Sequence, residues 1–170
     1  MINLEKFKHQ SWLDGRIVAI NGDCQEVMAD VLLQGYQCFD TAQGVNYDLI
    51  IDHPKKLIKV QIKSTREPKS WGSTYQKSTP SYHYHIRRAG KGAKRKYTKD
   101  EFDLFALVML DTKKVAYVLN QKVATSSITL RDKNLKYYNE GSSKDRVLYF
   151  QELTLERAIN DLFRESLRKN

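Results

Sequence analysis

The chain has 170 residues, 41% of them apolar and 29% charged, with a formal net charge of +9 and two cysteines. That length suits one domain with a real core, and the composition is ordinary for a globular protein. No apolar run approaches a membrane span, no signal-peptide pattern opens the chain, and Cys24 and Cys38 are too isolated for a redox or metal pair. These features argue against membrane-spanning and secreted classes and lead us to expect a cytoplasmic protein. The charge is concentrated: Arg66 to Lys99 holds ten Lys/Arg and one acid, Glu67, and the remaining residues balance. A nucleic-acid backbone attracts such a cluster, because neutralising phosphates releases counterions.

In chain order, residues 1–21 allow two readings. Trp12, Leu13, Ile17 and Ile20 have roughly helical spacing, while Arg16–Ile20 equally suits a short strand. Asp23–Leu33 reads as a helix, with Val27, Met28, Val31 and Leu32 on one stripe. Asn21-Gly22-Asp23 supplies start signals and Gly35 a stop. Glu26 falls in the first turn of that helix, where the dipole favours an acid. Tyr36–Asp40 reads as a strand. Tyr47–Asp52 and Leu57–Lys63 follow as two alternating strands joined by a four-residue turn, His53-Pro54-Lys55-Lys56.

Residues 64–99 form a basic insertion. Its first part is loop-like, and Tyr82–Arg87 alternates as a strand with His83 and His85 on one face. Trp71, Tyr75, Tyr82 and Tyr84 interleave with cations, a mixture suited to stacking on bases or sugars while Lys and Arg hold phosphates. The expected DNA contacts are Arg66, Lys69, Lys77, Arg87, Arg88, Lys91, Lys94, Arg95, Lys96 and Lys99. The glycine spacing around Lys91 does not match a phosphate-binding loop, and no RNP-type or KH-type motif marks an RNA module. Phe102–Leu110 should be a buried central strand, with Val115–Leu119 returning after a turn. Asp103, at its start, either bonds locally or contacts a site. Ser127–Leu130 and Val147–Phe150 are shorter strands, the second at an edge. A helix over Leu155–Lys169, capped by Thr154, closes the chain with Leu155, Ile159, Leu162, Phe163 and Leu167 on one face.

The hairpin carries the chemistry. Its register sets Asp52 opposite Leu57, Ile50 opposite Lys59 and Asp48 opposite Gln61. Directly opposed residues share a face about 5 Å apart, and Lys63 shares that face by alternation. An acid, an amide and an ammonium therefore converge. A carboxylate and an amide or backbone oxygen suit Mg²⁺, and a nearby Lys suits orienting water or offsetting phosphate charge.

The order of elements resembles the PD-(D/E)XK nuclease superfamily. The resemblance is carried by Glu26 with Leu33 and Gly35-Tyr36, then Tyr47-Asp48, then Val60-Gln61-Ile62-Lys63. Phe102-Asp103-Leu104-Phe105-Ala106 and Val115-Ala116-Tyr117-Val118 extend it, and it spans roughly Gly22–Leu130. It implies an α/β, restriction-endonuclease-like core with a mixed central sheet flanked by helices. It also implies a Mg²⁺-dependent endodeoxyribonuclease (Mn²⁺ substituting) acting on double-stranded DNA. Glu26, Asp48 and Gln61 with the Ile62 carbonyl would hold the metal, and Lys63 would serve the attacking water. Two departures stand out: Tyr47 where the motif often has Pro, and Gln61 where it usually has Asp or Glu. Gln at that position is similar to the bacterial group I intron homing endonucleases, which act as homo-oligomers. A junction resolvase or restriction-like enzyme is the alternative within the class. A non-catalytic DNA-binding protein with a decayed site is the alternative outside it.

Overall fold

The computed structural model describes residues 12–41, 45–70, 79–87, 97–122, 127–135 and 148–168. Trp71, Tyr75, Lys77, Arg88, Lys91, Lys94, Arg95 and Lys96 lie outside these. The chain opens on helix α1 (Trp12–Leu33), followed by strands β1 (Gln37–Asp40), β2 (Leu49–His53) and β3 (Lys56–Thr65). β4 (Tyr82–His85), β5 (Leu104–Met109), β6 (Lys114–Leu119), β7 (Ser127–Arg131) and β8 (Leu148–Tyr149) come next, and helix α2 (Leu155–Leu167) ends the order.

Helix α1 is longer than its start signals predict. It runs through Asn21-Gly22, and no strand forms over Arg16–Ile20. One interior Gly costs only about 1 kcal/mol against Ala, too little to stop a helix that continues on both sides. The stop at Gly35 is as expected. Its φ is +86°, its N–H donates to the Leu32 carbonyl at 3.0 Å, and the Tyr36 N–H donates to the Val31 carbonyl at 3.2 Å. This paired closure needs a left-handed residue, which glycine adopts without a Cβ penalty.

Five strands form a sheet in the order β1-β2-β3-β5-β6, with β3 and β5 parallel and the other neighbours antiparallel. The hairpin turn is tighter than predicted, because His53 pairs with Lys56 and leaves only Pro54-Lys55 between strands. Adding one residue to each strand leaves the register unchanged, so Asp52 faces Leu57 and Ile50 faces Lys59, as expected. Every residue of β5 is buried. A continuous apolar run is what a strand covered on both faces requires.

The covering differs on the two faces. Val60, Ile62, Leu104, Ala106, Tyr117 and Leu119 pack with Val27 and Val31 of α1 and with Leu155, Ile159 and Leu162 of α2. The opposite face carries Phe105, Leu107, Met109, Ala116 and Val118, which pack against Tyr82, Tyr84, Ile128 and Leu130. Those residues come from a second sheet, β4-β7-β8. Both helices thus lie on one side of the large sheet and the small sheet covers part of the other. β8 is the edge strand that the sequence suggested. Thr154 caps α2 by accepting from the Arg157 N–H at 3.3 Å. Leu167, expected on the buried face of α2, is 78% exposed, and Ala158 is buried in that face. Among the described residues no helix is long and apolar enough to cross a membrane.

Leu104→Ala should therefore lower unfolding free energy by about 2–5 kcal/mol, whereas Leu167→Ala should change it by less than about 0.5 kcal/mol. Chemical denaturation of both variants checks this contrast.

Candidate active site

The β2–β3 backbone pairing stops at Leu49 and Val60. Just beyond it, the Asp48 N–H donates to the Val60 carbonyl at 2.8 Å. The Asp48 carboxylate turns onto β3, where Oδ2 accepts from the Ile62 N–H at 2.7 Å and from the Gln61 amide. On the other side of Asp48, the Thr41 N–H donates to its carbonyl at 3.2 Å, and the Thr41 hydroxyl donates to the Tyr47 carbonyl at 2.7 Å. Asp48 is thus held by backbone contacts on both sides, with its carboxylate against the middle of β3.

Gln61 is only 7% exposed, and its Nε2 also donates to the Ile62 carbonyl at 3.3 Å. Lys63 is half-buried, its ammonium 5.4 Å from the centre of the Tyr97 ring. Tyr97 in turn packs edge-on against Phe102 and Phe105, at 5.1 and 5.9 Å. This aromatic block belongs to the core beneath the small sheet. A cation over a ring face is attracted by its quadrupole, so the block supports the lysine from below.

The acid that α1 brings to Asp48 is not the expected one. Glu26 is engaged by Lys113, at 3.5 Å. Asp23, one turn earlier, is 7% exposed, is hydrogen-bonded to the Ser64 side chain, and feels the charge of Asp48. In the sequence Asp23 stands at an apparent helix start, where an acid has an ordinary capping role and nothing local singles it out. Only the helix's continuation to Trp12 makes it an interior residue facing β3. Burial raises the pKa of Asp23, against the lowering effect of its hydrogen bonds, and Asp48 adds to the rise. Burial also raises that of Asp48, opposed by the Ile62 N–H, Lys63 and Gln61. Burial and then Asp48 push the Cys24 thiol up to about 11, so no reactive thiolate stands beside the site.

Asp103, left open between two roles, is a local pin. Its Oδ1 accepts from the Lys56 ammonium at 2.7 Å and its Oδ2 from the Lys59 N–H at 2.9 Å. It fastens the start of β5 to β3. His83 lies within 3.1 Å of the Thr129 hydroxyl on the small sheet. Among the described residues no group of three or more His, Cys, Asp or Glu side chains is arranged to hold a metal. Of the expected DNA contacts, Arg66, Lys69, Arg87 and Lys99 are described and exposed.

The residues present fit a hard divalent cation. Two carboxylates with raised pKa values, buried Asp23 and half-buried Asp48, face the same strand, beside an amide and the Ile62 carbonyl. Mg²⁺ needs few protein ligands, because water and phosphate oxygens complete its shell. Gln61 presents its NH₂ end to Asp48, and a half-turn of the amide would present Oε1 instead.

A family model described as PD-(D/E)XK endonuclease matches residues 20–152, which include Asp23, Asp48, Gln61 and Lys63. The chain belongs to the PD-(D/E)XK endonuclease family. It is therefore built as a nuclease, a hydrolase of phosphodiester bonds in DNA. The endonuclease shares its fold with a solved bacterial homing endonuclease, I-Ssp6803I, at a TM-score of 0.55 and 18% identity. That alignment covers 88% of this chain and 95% of the other. No curated protein matches the endonuclease in a sequence search.

The buried carboxylates have a consequence for stability. An acid whose pKa is higher in the folded state contributes stability at low pH that is lost as pH rises through the folded value. Asp23→Asn should therefore melt higher than the parent protein at neutral pH in the presence of a chelator. The difference should shrink as pH falls through the carboxylate range, and thermal melts across pH measure it.

Proposed function

We propose that the chain is a Mg²⁺-dependent, site-specific endonuclease of double-stranded DNA, of the intron-homing type. The observation that carries the catalytic part is the convergence of Asp48, Gln61 and Lys63 on one face where β2 leaves β3. Asp48 is the principal metal ligand, the Gln61 amide oxygen and the Ile62 carbonyl assist, and Asp23 takes the helper position expected of Glu26. Mn²⁺ substitutes. A bound Mg²⁺ supplies Lewis-acid polarisation of the scissile phosphate and counter-charge for the transition state.

The remaining work falls to the chain's own groups. Lys63, fixed over Tyr97, orients the attacking water by hydrogen bonding and offsets charge on the phosphate. It sits in a half-buried position where such an interaction is stronger than in bulk water. The Asp48 carboxylate is held by the Ile62 N–H, which fixes its direction before substrate arrives. Exposed Arg66, Lys69, Arg87 and Lys99, with the rest of the basic segment, hold the duplex backbone and make binding salt-dependent. The homing reading is supported by Gln in place of the acid and by the shared fold. A symmetric assembly of identical chains suits a long duplex site.

One observation favours a second reading. With its NH₂ on the carboxylate, Gln61 satisfies Asp48 without any cation, as in a DNA-binding protein with a decayed site. The two readings separate in a cleavage assay on supercoiled plasmid, linear duplex and four-way junctions with Mg²⁺ or Mn²⁺. Asp48→Ala should abolish cleavage, and Lys63→Ala should lower the rate by about 10²–10³-fold, the scale of losing one transition-state donor. Both should retain DNA binding in a mobility-shift assay. Intact cleavage in both variants sinks the catalytic assignment, and preference for the four-way junction over any linear duplex sinks the homing one.

A further inference from the structure

The face of β3 that carries Gln61 and Lys63 also carries Lys59, two residues earlier, opposite Ile50. Lys59 is exposed, and its ammonium lies 5.3 Å from the centre of the Tyr47 ring. Tyr47 is half-buried against the same aromatic core that holds Tyr97. Two lysines on one strand face therefore flank Gln61, each seated on a tyrosine at the border of that core. The backbone of Lys59 is fixed as well: its N–H donates to the Asp103 carboxylate and its carbonyl accepts from the Asp103 N–H, both at 2.9 Å. Asp103 gives its other oxygen to Lys56, so among the described residues the Lys59 ammonium has no carboxylate partner. A positioned cation without an acid is a binding group for an anion.

We propose that Lys59 and Tyr47 form a second phosphate-binding site, for a backbone phosphate neighbouring the scissile one on the same DNA strand. Along β3, Lys59 stands two residues, about 7 Å, from Gln61, the partner of Asp48, and four residues, about 13 Å, from Lys63. A phosphate held between Asp48 and Lys63 therefore has a neighbour, a nucleotide step of about 7 Å away on the Gln61 side, within reach of the long Lys59 side chain. The Tyr47 ring limits where the ammonium swings, so less side-chain freedom is lost when phosphate binds. The departure at Tyr47, where the family motif often has Pro, thereby acquires a role: the aromatic ring seats a cation that Pro would not. The proposal rests on Asp48 and Lys63 marking the scissile position.

The test is the salt dependence of binding to mixed-sequence duplex DNA without divalent metal, for Lys59→Gln, Tyr47→Leu, Tyr47→Phe and Lys55→Gln. Lys55, whose ammonium lies 5.0 Å from the Phe163 ring on the helix side, is the control for generic loss of charge. Lys59→Gln should reduce the slope of log affinity against log salt by about 0.9, one phosphate contact. Tyr47→Leu should weaken binding about two- to five-fold, the scale of an exposed cation–π contact. Tyr47→Phe should bind as the parent protein does, and Lys55→Gln should leave the slope unchanged. An unchanged slope in Lys59→Gln overturns the proposal, as does an equal effect of Lys55→Gln. Cleavage surviving in Asp48→Ala and Lys63→Ala, with the Lys59 effect intact, shows that the catalytic reading has failed and overturns the placement beside a scissile phosphate.

Discussion

The two-residue alternation of β3 is the constraint on which the rest of the molecule depends. Ile58, Val60 and Ile62 enter the core beneath the helices, and Lys59, Gln61 and Lys63 face the other way. A shift of one residue would bury lysines among Val27, Leu49 and Leu155 and expose the isoleucines. Burying unpaired ammonium groups costs far more than any gain in pairing, so the register admits one solution. The face that results cannot be wholly covered either. The small sheet packs on β5 and β6 and brings β4 against β3, so Gln61 is buried and Lys63 half-buried while Lys59 stays exposed.

Each neighbouring element makes that strand more exact. Parallel pairing with β5 places Gln61 beside Phe105 and Lys63 beside Leu107. Asp103 pins the start of the pair, and the Asp48 carboxylate completes the other side where β2 departs. Ionised Asp23 and Asp48 lower stability, because burial raises their pKa values. Such a local penalty is in keeping with the cation site proposed above.

Much of this was legible in the sequence. The hairpin register, the buried β5 run, the Gly35 stop and the Thr154 cap all follow from local chemistry, and so does the grouping of Asp48, Gln61 and Lys63. The misses share a cause. The length of α1, the exposure of Leu167 and the placing of Asp23 rather than Glu26 by Ser64 and Asp48 are each decided beyond the local sequence signals. Local propensity is weak enough for tertiary contact to override it.

The sequence by itself determined which residues could meet across the hairpin, because pairing and alternation are properties of adjacent strands. It pointed to a polyanionic partner too, through a charge excess confined to one segment. The tertiary structure alone decided which acid of α1 is buried against β3 at Ser64 and that the aromatic core passes beneath two lysines of one strand. It alone also gave Asp103 a structural task. Those outcomes depend on contacts between residues distant along the chain, such as Asp23 with Ser64 and Lys63 with Tyr97. Only close packing of helix, sheet and aromatic core brings them together.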